Sequence, residues 1–157
     1  MRPEIFKMVD RIVTIDPALK TIHCQGLVPE ESSIFEGHFP GYPIMPGVLL
    51  IEAMAQTTGW LILARNRFEK MPFLATVKEA KLRTFVVPGQ NLDLHSEILH
   101  EGSGFVVAKT HTTLDGKPIC SAELTFRVLS WPEGRMKGTV LKVAEHVQFP
   151  VAEYVDA

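Results

Sequence analysis

The residues best suited to chemistry lie in one proline-rich stretch of this 157-residue chain. His38 begins a segment, residues 38–47, that contains three prolines and two glycines, so regular secondary structure is not expected there. A stiff loop of this kind can hold an imidazole in a fixed position, as a general base requires. The alternative is a histidine whose ring only hydrogen-bonds to a backbone carbonyl.

Glu52 is the second residue of interest, because it falls in the second turn of a predicted helix over residues 48–66. That stretch has no proline, one glycine and mainly good helix formers. It is apolar nearly all round, which predicts a helix buried on all sides. An enclosed carboxyl group must be paired, hydrogen-bonded or protonated, and a protonated one can act as a general acid. The alternative is a carboxyl group that merely hydrogen-bonds to Gln56, one turn further along the helix. His38 and Glu52 suggest an acid–base pair, although their spacing does not establish a contact.

Composition limits the class of protein. The chain is 46% apolar and 22% charged with a net charge of −2, which is typical of one soluble domain and gives no overall attraction for nucleic acid. Glu52 and Gln56 argue against a membrane span, because a carboxyl group at mid-bilayer costs about 2.5–3.5 kcal/mol. The two cysteines form no C-x-x-C motif and the six histidines lack ligand spacing, so we expect no metal site. The first residues lack a signal peptide's apolar stretch, and we expect a cytoplasmic protein.

The remaining elements are predicted to be strands. Two runs rich in β-branched residues, 11–15 and 21–27, predict a hairpin. Four more strands follow the helix, at 73–82, 91–101, 105–114 and 118–129, and Asp115-Gly116 is a strong hairpin turn signal. This order predicts an α+β fold in which a curved antiparallel sheet wraps a long central helix. Residues 131–157 form a C-terminal extension whose mixed periodicity predicts no particular structure.

The segment 37–56, Gly-His-Phe-Pro-Gly-Tyr-Pro-Ile-Met-Pro-Gly-Val-Leu-Leu-Ile-Glu-Ala-Met-Ala-Gln, closely resembles the signature of the FabZ-type 3-hydroxyacyl-[acyl carrier protein] dehydratases of the hot-dog superfamily. Weaker similarity extends over about residues 6–130, including Val86-Val-Pro-Gly89. The resemblance implies the hot-dog fold for residues 1–130, which agrees with the predicted order of elements. It also implies dehydration of a (3R)-hydroxyacyl group to a trans-2-enoyl group in fatty acid synthesis, without a cofactor.

The resemblance assigns roles to the motif residues. It makes His38 the catalytic base and Glu52 the catalytic acid, contributed by different subunits of a homodimer or of a trimer of such dimers. The backbone N–H of Gly47, at the start of the helix, would receive the thioester carbonyl. Glutamate at position 52 favours dehydration alone, since the isomerising FabA type has aspartate there. The resemblance also implies substrate contacts from three other residues of the motif, namely Phe39, Val48 and Gln56.

A basic segment suggests the partner. Residues 65–83 contain six lysines and arginines against two glutamates, and Arg65, Arg67 and Lys70 could receive the acidic acyl carrier protein. The alternative is a solvated helix end and strand face. Two other functions stay open: a hot-dog acyl-thioesterase, which generally lacks the His-Phe-Pro-Gly loop, and a non-catalytic subunit that binds acyl carriers. The sequence does not determine the length of the acyl chain.

Overall fold

The computed structural model describes residues 1–155. A 3₁₀ turn, Pro3–Ile5, precedes six strands and four helices. In chain order these are β1 (Arg11–Asp16), β2 (Thr21–Leu27), α1 (Ser33–Gly37), α2 (Gly47–Arg65), β3 (Lys70–Leu82), β4 (Asn91–Gly102), β5 (Phe105–Leu114), β6 (Lys117–Ser130), α3 (Gly134–His146) and α4 (Val151–Tyr154).

The six strands form one sheet in the order β1-β2-β4-β5-β6-β3, and every neighbouring pair is antiparallel. Alternate residues of β2, β4 and β5 are buried, so one face of the sheet covers the core. Asp115 and Gly116 form the two-residue turn between β5 and β6, and both have positive φ (49° and 77°), as the predicted hairpin requires. The predicted α+β hot-dog architecture is confirmed: α2 lies against the inner face of a curved sheet.

Helix α2 begins one residue earlier than predicted, and 13 of its 19 residues are buried. Its buried polar side chains are satisfied locally, because Thr57 and Thr58 donate to the carbonyls of Ala53 and Met54 at 2.9 Å. By length and composition α2 is the one helix within residues 1–155 that could cross a bilayer. However, 67% of its apolar window is buried within the protein, a property shared by core helices.

The prediction that α2 is enclosed on all sides is wrong at its N-terminal half. Val48 is 71% exposed, and Glu52 and Gln56 are only partly buried. Glu52 and Gln56 border an open cavity, which is why polar side chains are tolerated there.

Strand β3 forms one edge of the sheet and pairs only with β6 among the described strands. It begins at Lys70 rather than at Phe73 as predicted. Pro72 lies within it because a proline, which lacks a donor N–H, is tolerated in an edge strand. From Ala75 to Leu82 every residue is exposed, including apolar Val77. The outer edge of β3 is therefore unpaired, and both faces of this part of the strand are exposed.

The C-terminal extension folds into α3 and α4 and packs on the end of α2. The ring of Phe149, which is buried, lies 5.8 Å from that of Trp60 and 5.1 Å from that of Phe68. The backbone N–H of Ile12 donates to the carbonyl of Val147 at 2.8 Å. The extension is thus joined to both the helix and the first strand.

Candidate active site

His38 is placed by the short helix before it and by the loop after it. Ser32 caps α1 by accepting a hydrogen bond from the backbone N–H of Ile34 at 3.3 Å, and His38 is the first residue beyond that helix. The backbone N–H of Ile44 then donates to the His38 carbonyl at 2.9 Å, which closes the loop. The next residue, Met45, donates to the carbonyl of Val86 at 2.7 Å and ties the loop to the segment after β3.

The imidazole of His38 has a defined protonation pattern when neutral. Its Nδ1 lies 2.8 Å from the carbonyl oxygen of Ile44. A carbonyl can only accept, so Nδ1 carries the proton and Nε2 keeps its lone pair. The ring stacks on that of Phe39 at a centroid distance of 4.2 Å. The sequence analysis gave a hydrogen bond to a backbone carbonyl as the alternative to a catalytic role for His38. The structure contains that hydrogen bond, and it leaves Nε2 able to take a proton.

His38 lines a cavity of about 600 Å³, here called the His38 pocket. Its wall includes Gly47, the first residue of α2, whose backbone N–H has no partner inside the helix because it belongs to the first turn. A Cβ atom built on Gly47 would overlap with Cδ1 of Leu82, so a larger residue there requires the Leu82 side chain to move. The other lining residues are Phe39, Ile44, Met45, Leu50, Leu82, Arg83, Thr84 and Phe85.

Glu52 is held by Gln56. The side-chain amide of Gln56 donates from Nε2 to Oε1 of Glu52 at 2.9 Å and to the carbonyl of Phe6 at 2.6 Å. Its Oε1 accepts from the backbone N–H of Met8 at 3.1 Å. These partners fix both ends of the amide. The hydrogen bond from Gln56 to Glu52 is the contact that the sequence analysis gave as the alternative role of this carboxyl group, and Oε2 of Glu52 has no bond to Gln56.

Glu52 lines a second cavity, of about 450 Å³, here called the Glu52 pocket. It shares no lining residue with the His38 pocket. The geometry of α2 explains the separation, since five residues at 3.6 per turn place Gly47 and Glu52 about 140° apart around the axis. One chain therefore brings His38 and Gly47 together, and Glu52 and Gln56 together, but does not join the two pairs.

The structure changes the interpretation of the basic segment. Nε and Nη2 of Arg65 each donate to a carboxylate oxygen of Glu101 at 2.5 Å, and Nη1 donates to the carbonyl of Pro17. These hydrogen bonds hold the pKa of Glu101 below its usual value. Arg65 is thus a structural cation, because its donors are engaged within the chain. The side chains of Arg67 and Lys70 are exposed.

Sequence reasoning missed Arg83, Thr84 and Phe85 as walls of the His38 pocket. Phe85 is 67% exposed and its exposure has no local sequence signal. The family similarity at Val86-Val-Pro-Gly89 was the one sequence signal near these residues. Its relevance is explained by Val86, whose carbonyl accepts a hydrogen bond from the loop that carries His38. Across residues 1–155, no group of three or more His, Cys, Asp or Glu side chains is arranged to hold a metal ion.

Comparison with known proteins identifies the family of the chain. The family model of the FabA-like domain matches residues 1–123, and the chain belongs to this family. Over 123 residues it is 41% identical to the 3-hydroxyacyl-[acyl-carrier-protein] dehydratase FabZ of Clostridium acetobutylicum, covering 78% of this chain and 86% of the relative. The FabZ of Levilactobacillus brevis is 39% identical over 121 residues, covering 76% and 81% respectively.

Solved structures show the same fold. The dehydratase heterocomplex ApeI:P of Xenorhabdus doucetiae aligns with a TM-score of 0.63 at 15% identity, covering 90% of this chain and 91% of that one. A hypothetical thioesterase of Streptococcus pneumoniae, solved with coenzyme A, aligns with a TM-score of 0.61 at 15% identity, covering 78% and 88%. At such identities the likeness concerns the fold alone.

Proposed function

We propose that this protein removes water from (3R)-hydroxyacyl groups carried on acyl carrier protein and yields trans-2-enoyl groups, in cytoplasmic fatty acid synthesis. The observation that carries the proposal is the hydrogen bond from Nδ1 of His38 to the Ile44 carbonyl, which leaves Nε2 as a base in a pocket that also contains Gly47. The FabZ relatives support the same chemistry.

The reaction needs three groups and no cofactor. Nε2 of neutral His38 takes the C2 proton, which the neighbouring thioester makes acidic. The backbone N–H of Gly47, at the positive end of α2, stabilises the negative charge that develops on the thioester oxygen. A protonated Glu52 gives its proton to the C3 hydroxyl as the C3–O bond breaks and water leaves. The proton taken at C2 then returns from His38 to the Glu52 carboxylate through solvent.

A homodimer would complete the site. The His38 pocket includes Leu82, at one end of β3, and the Glu52 pocket includes Pro72, near the other end. Thr76 is the central residue of this 13-residue strand. Antiparallel pairing of two β3 edges about Thr76 sets residue 82 of one copy opposite residue 70 of the other. Each His38 pocket then adjoins the other copy's Glu52 pocket, and the exposed edge is covered.

The same pairing defines a docking surface for the carrier. It brings Arg67 and Lys70 of one copy near Lys81 and Arg83 of the other, beside the mouth of the composite site. Four cations in one region would attract an acidic carrier protein and orient the acyl group toward His38. Arg65 is left out of this surface, because its guanidinium is bound to Glu101.

Mass spectrometry of the acyl group tests the function directly. Purified protein is incubated with (3R)-hydroxyacyl carrier proteins of several chain lengths, and we expect the acyl mass to fall by one water. Release of free carrier protein would instead indicate the thioesterase alternative. An unchanged acyl carrier at every length would leave only the non-catalytic binding alternative. The His38→Ala variant is the matched control for uncatalysed loss of water.

A further inference from the structure

The Glu52 pocket extends far beyond the carboxyl group. One stripe of α2 forms its inner wall, with residues at the spacing of a single helix face. Those residues are Glu52, Ala55, Gln56, Gly59, Trp60 and Leu63. From Glu52 onward the stripe is apolar apart from Gln56, and the sheet adds Leu74 and Phe126. Lys7 and His146 are the other polar side chains of the lining. A cavity with a carboxyl group near one end of a mostly apolar wall suits a molecule with one polar end and a long apolar tail.

The outer wall comes from the C-terminal extension. Val140, Val143, His146 and Val147, all on or next to α3, line the pocket opposite α2. Ala144 of the same helix is completely buried, so α3 is packed against the body of the protein. The match to the FabA-like family model ends at residue 123, and α3 therefore lies beyond the segment that defines the family.

The length of the inner wall sets the length of the occupant. Glu52 and Leu63 are eleven residues apart, which corresponds to about 16 Å along a helix. An extended chain of single bonds advances about 1.2 Å per bond, so a tail of about 13 bonds spans this wall. Since Glu52 acts at C3 in the proposed reaction, such a tail belongs to an acyl chain of about 16 carbons.

We infer that the Glu52 pocket holds the acyl tail of the substrate and that α3 is the wall that limits its length, which restricts the preferred 3-hydroxyacyl thioesters to chains of up to about 16 carbons. This inference rests on the proposed function. Gly59 lies at the middle of the inner wall and Val143 on the outer wall. Both positions therefore determine the specificity for chain length.

Substitution from the inner wall tests the inference. A Cβ atom on Gly59 would lie 3.7 Å from Cγ of Pro72, which is an ordinary contact, and Gly59 and Pro72 both line the cavity, so Gly59→Leu is chosen to place a side chain in it. We expect the ratio of kcat/KM for the 3-hydroxytetradecanoyl over the 3-hydroxybutyryl carrier substrate to fall at least tenfold. Gly138→Leu is the matched control, because Gly138 lies on α3 with nothing within 4 Å of its Cβ position. Its ratio should be that of the wild type.

Substitution from the outer wall tests the role of α3 itself. Val143→Phe should lower the same ratio, and Val143→Ala should move the preferred chain to greater length. Glu145→Phe, at an exposed position of α3, is the control for a bulky aromatic residue on this helix. Circular dichroism and thermal unfolding establish that each variant is folded. Ratios equal to the wild type in folded Gly59→Leu and Val143→Phe proteins would overturn the inference, as would equal losses on both substrates.

A binding measurement separates this inference from the proposed function. The probe is the N-acetylcysteamine thioester of 10-bromodecanoic acid, whose bromine quenches tryptophan fluorescence on contact. Trp60 lines the pocket, so we expect saturable quenching in the wild type and its loss in Gly59→Leu. Quenching without any dehydration would leave the tail site standing and reject the proposed reaction. Dehydration without quenching in the wild type would reject the tail site alone.

Discussion

The backbone and side chain of His38 are both bonded to Ile44: Nδ1 lies 2.8 Å from the Ile44 carbonyl oxygen, and the Ile44 N–H donates to the His38 carbonyl at 2.9 Å. This double connection fixes the ring and its neutral tautomer at once. We expect ¹⁵N NMR of histidine-labelled protein at neutral pH to show His38 protonated at Nδ1 and unprotonated at Nε2. The opposite tautomer would remove the base from the proposed mechanism.

Loss of the imidazole should cost activity and not structure. We expect His38→Ala to lower kcat on the carrier substrate by about 10²–10⁴-fold, the usual contribution of a general base. The side chain is only partly buried, so the thermal unfolding temperature should change little. A variant that unfolds together with its loss of activity would show that the ring holds the loop instead.

Mixing two inactive variants tests whether the site is shared between chains. His38→Ala and Glu52→Gln should each be inactive. After unfolding and joint refolding, half of the dimers are mixed, and each mixed dimer has one intact site of two, so activity should return to roughly a quarter of the wild-type value. The control is refolding of wild type with the His38→Ala/Glu52→Gln double variant, which can form no intact site in a mixed dimer. Recovery no greater than in the separate variants would argue for sites built within one chain.

The long elements could be predicted from sequence because their signals are local. The runs of β-branched residues, the turn at Asp115-Gly116 and the helix formers after Gly47 each identify their own element. Strand β3 was predicted too short, because Pro72 signals the end of a strand unless the strand lies at an edge. The C-terminal helices were not predicted. The chain turns at Gln148, which has φ of 58°, and the apolar residues on either side of it follow no single period.

The sequence predicts which residues belong to the candidate site but not how they lie relative to one another. His38 and Glu52 are evident from the motif. The helical period places Gly47 and Glu52 on different faces of α2, but which cavity each face borders depends on how α2 packs, and no local pattern records that. Arg65 shows the same limit, because its partner Glu101 is 36 residues away. The sequence predicted Arg65 to be a docking residue, but only the tertiary structure reveals the hydrogen bonds that engage it with Glu101.

The close contact between Gly47 and Leu82 predicts that a larger residue at position 47 lowers activity and that a smaller residue at position 82 restores part of it. Gly47→Ala would force the Leu82 side chain aside, and Leu82 lines the His38 pocket. We expect kcat/KM to fall about tenfold or more, since small misplacements in a site are costly. Adding Leu82→Ala removes the overlapping atoms and should restore part of the activity. Steady-state kinetics of the single and double variants measure this, and a double variant no better than Gly47→Ala would show that space is not the cause.

Substitution of Arg65 should affect stability, whereas substitution of Arg67 and Lys70 should affect binding of the carrier protein. Arg65→Ala breaks a part-buried bidentate pair and should lower the free energy of unfolding at pH 7 by about 1–2 kcal/mol. The pKa of Glu101 is lowered in the folded protein, so its stabilising effect is present above its unfolded pKa of about 4.3 and is lost as pH falls through the folded value. Urea unfolding at pH 7 and pH 3.5 should therefore show a smaller difference between wild type and variant in acid.

Charge reversal at Arg67 and Lys70 should act on the carrier instead. The double variant Arg67→Glu/Lys70→Glu is expected to lower kcat/KM for carrier-protein substrates and to spare N-acetylcysteamine thioesters. The loss should shrink as salt rises, because screening over about 8–10 Å removes the wild-type advantage. An equal loss on both substrate types would place these residues in the fold or the site.

A row of three histidines on the outer face of the sheet predicts how stability depends on pH. His95 stacks on His23 at 4.4 Å and on His111 at 4.8 Å, with nearly parallel rings. Burial lowers the pKa of His95, charge on the two neighbouring rings lowers it further, and Asp93 opposes the shift. Burial, followed by the charge of Lys109, lowers the pKa of His111.

The lowered pKa values of His95 and His111 determine how stability changes with pH. Because the folded pKa values lie below the unfolded value of about 6.5, the unfolded chain binds protons first as pH falls. The free energy of unfolding should therefore be greatest above pH 6.5 and decline as pH falls through the folded values. His95→Gln removes the central titrating ring, and its thermal unfolding temperature should decline less than that of the wild type between pH 7.5 and 5. His100→Gln, at an exposed histidine outside the row, is the control and should keep the wild-type slope. A His95→Gln slope equal to that of the wild type would show that proton uptake by this row does not govern acid stability.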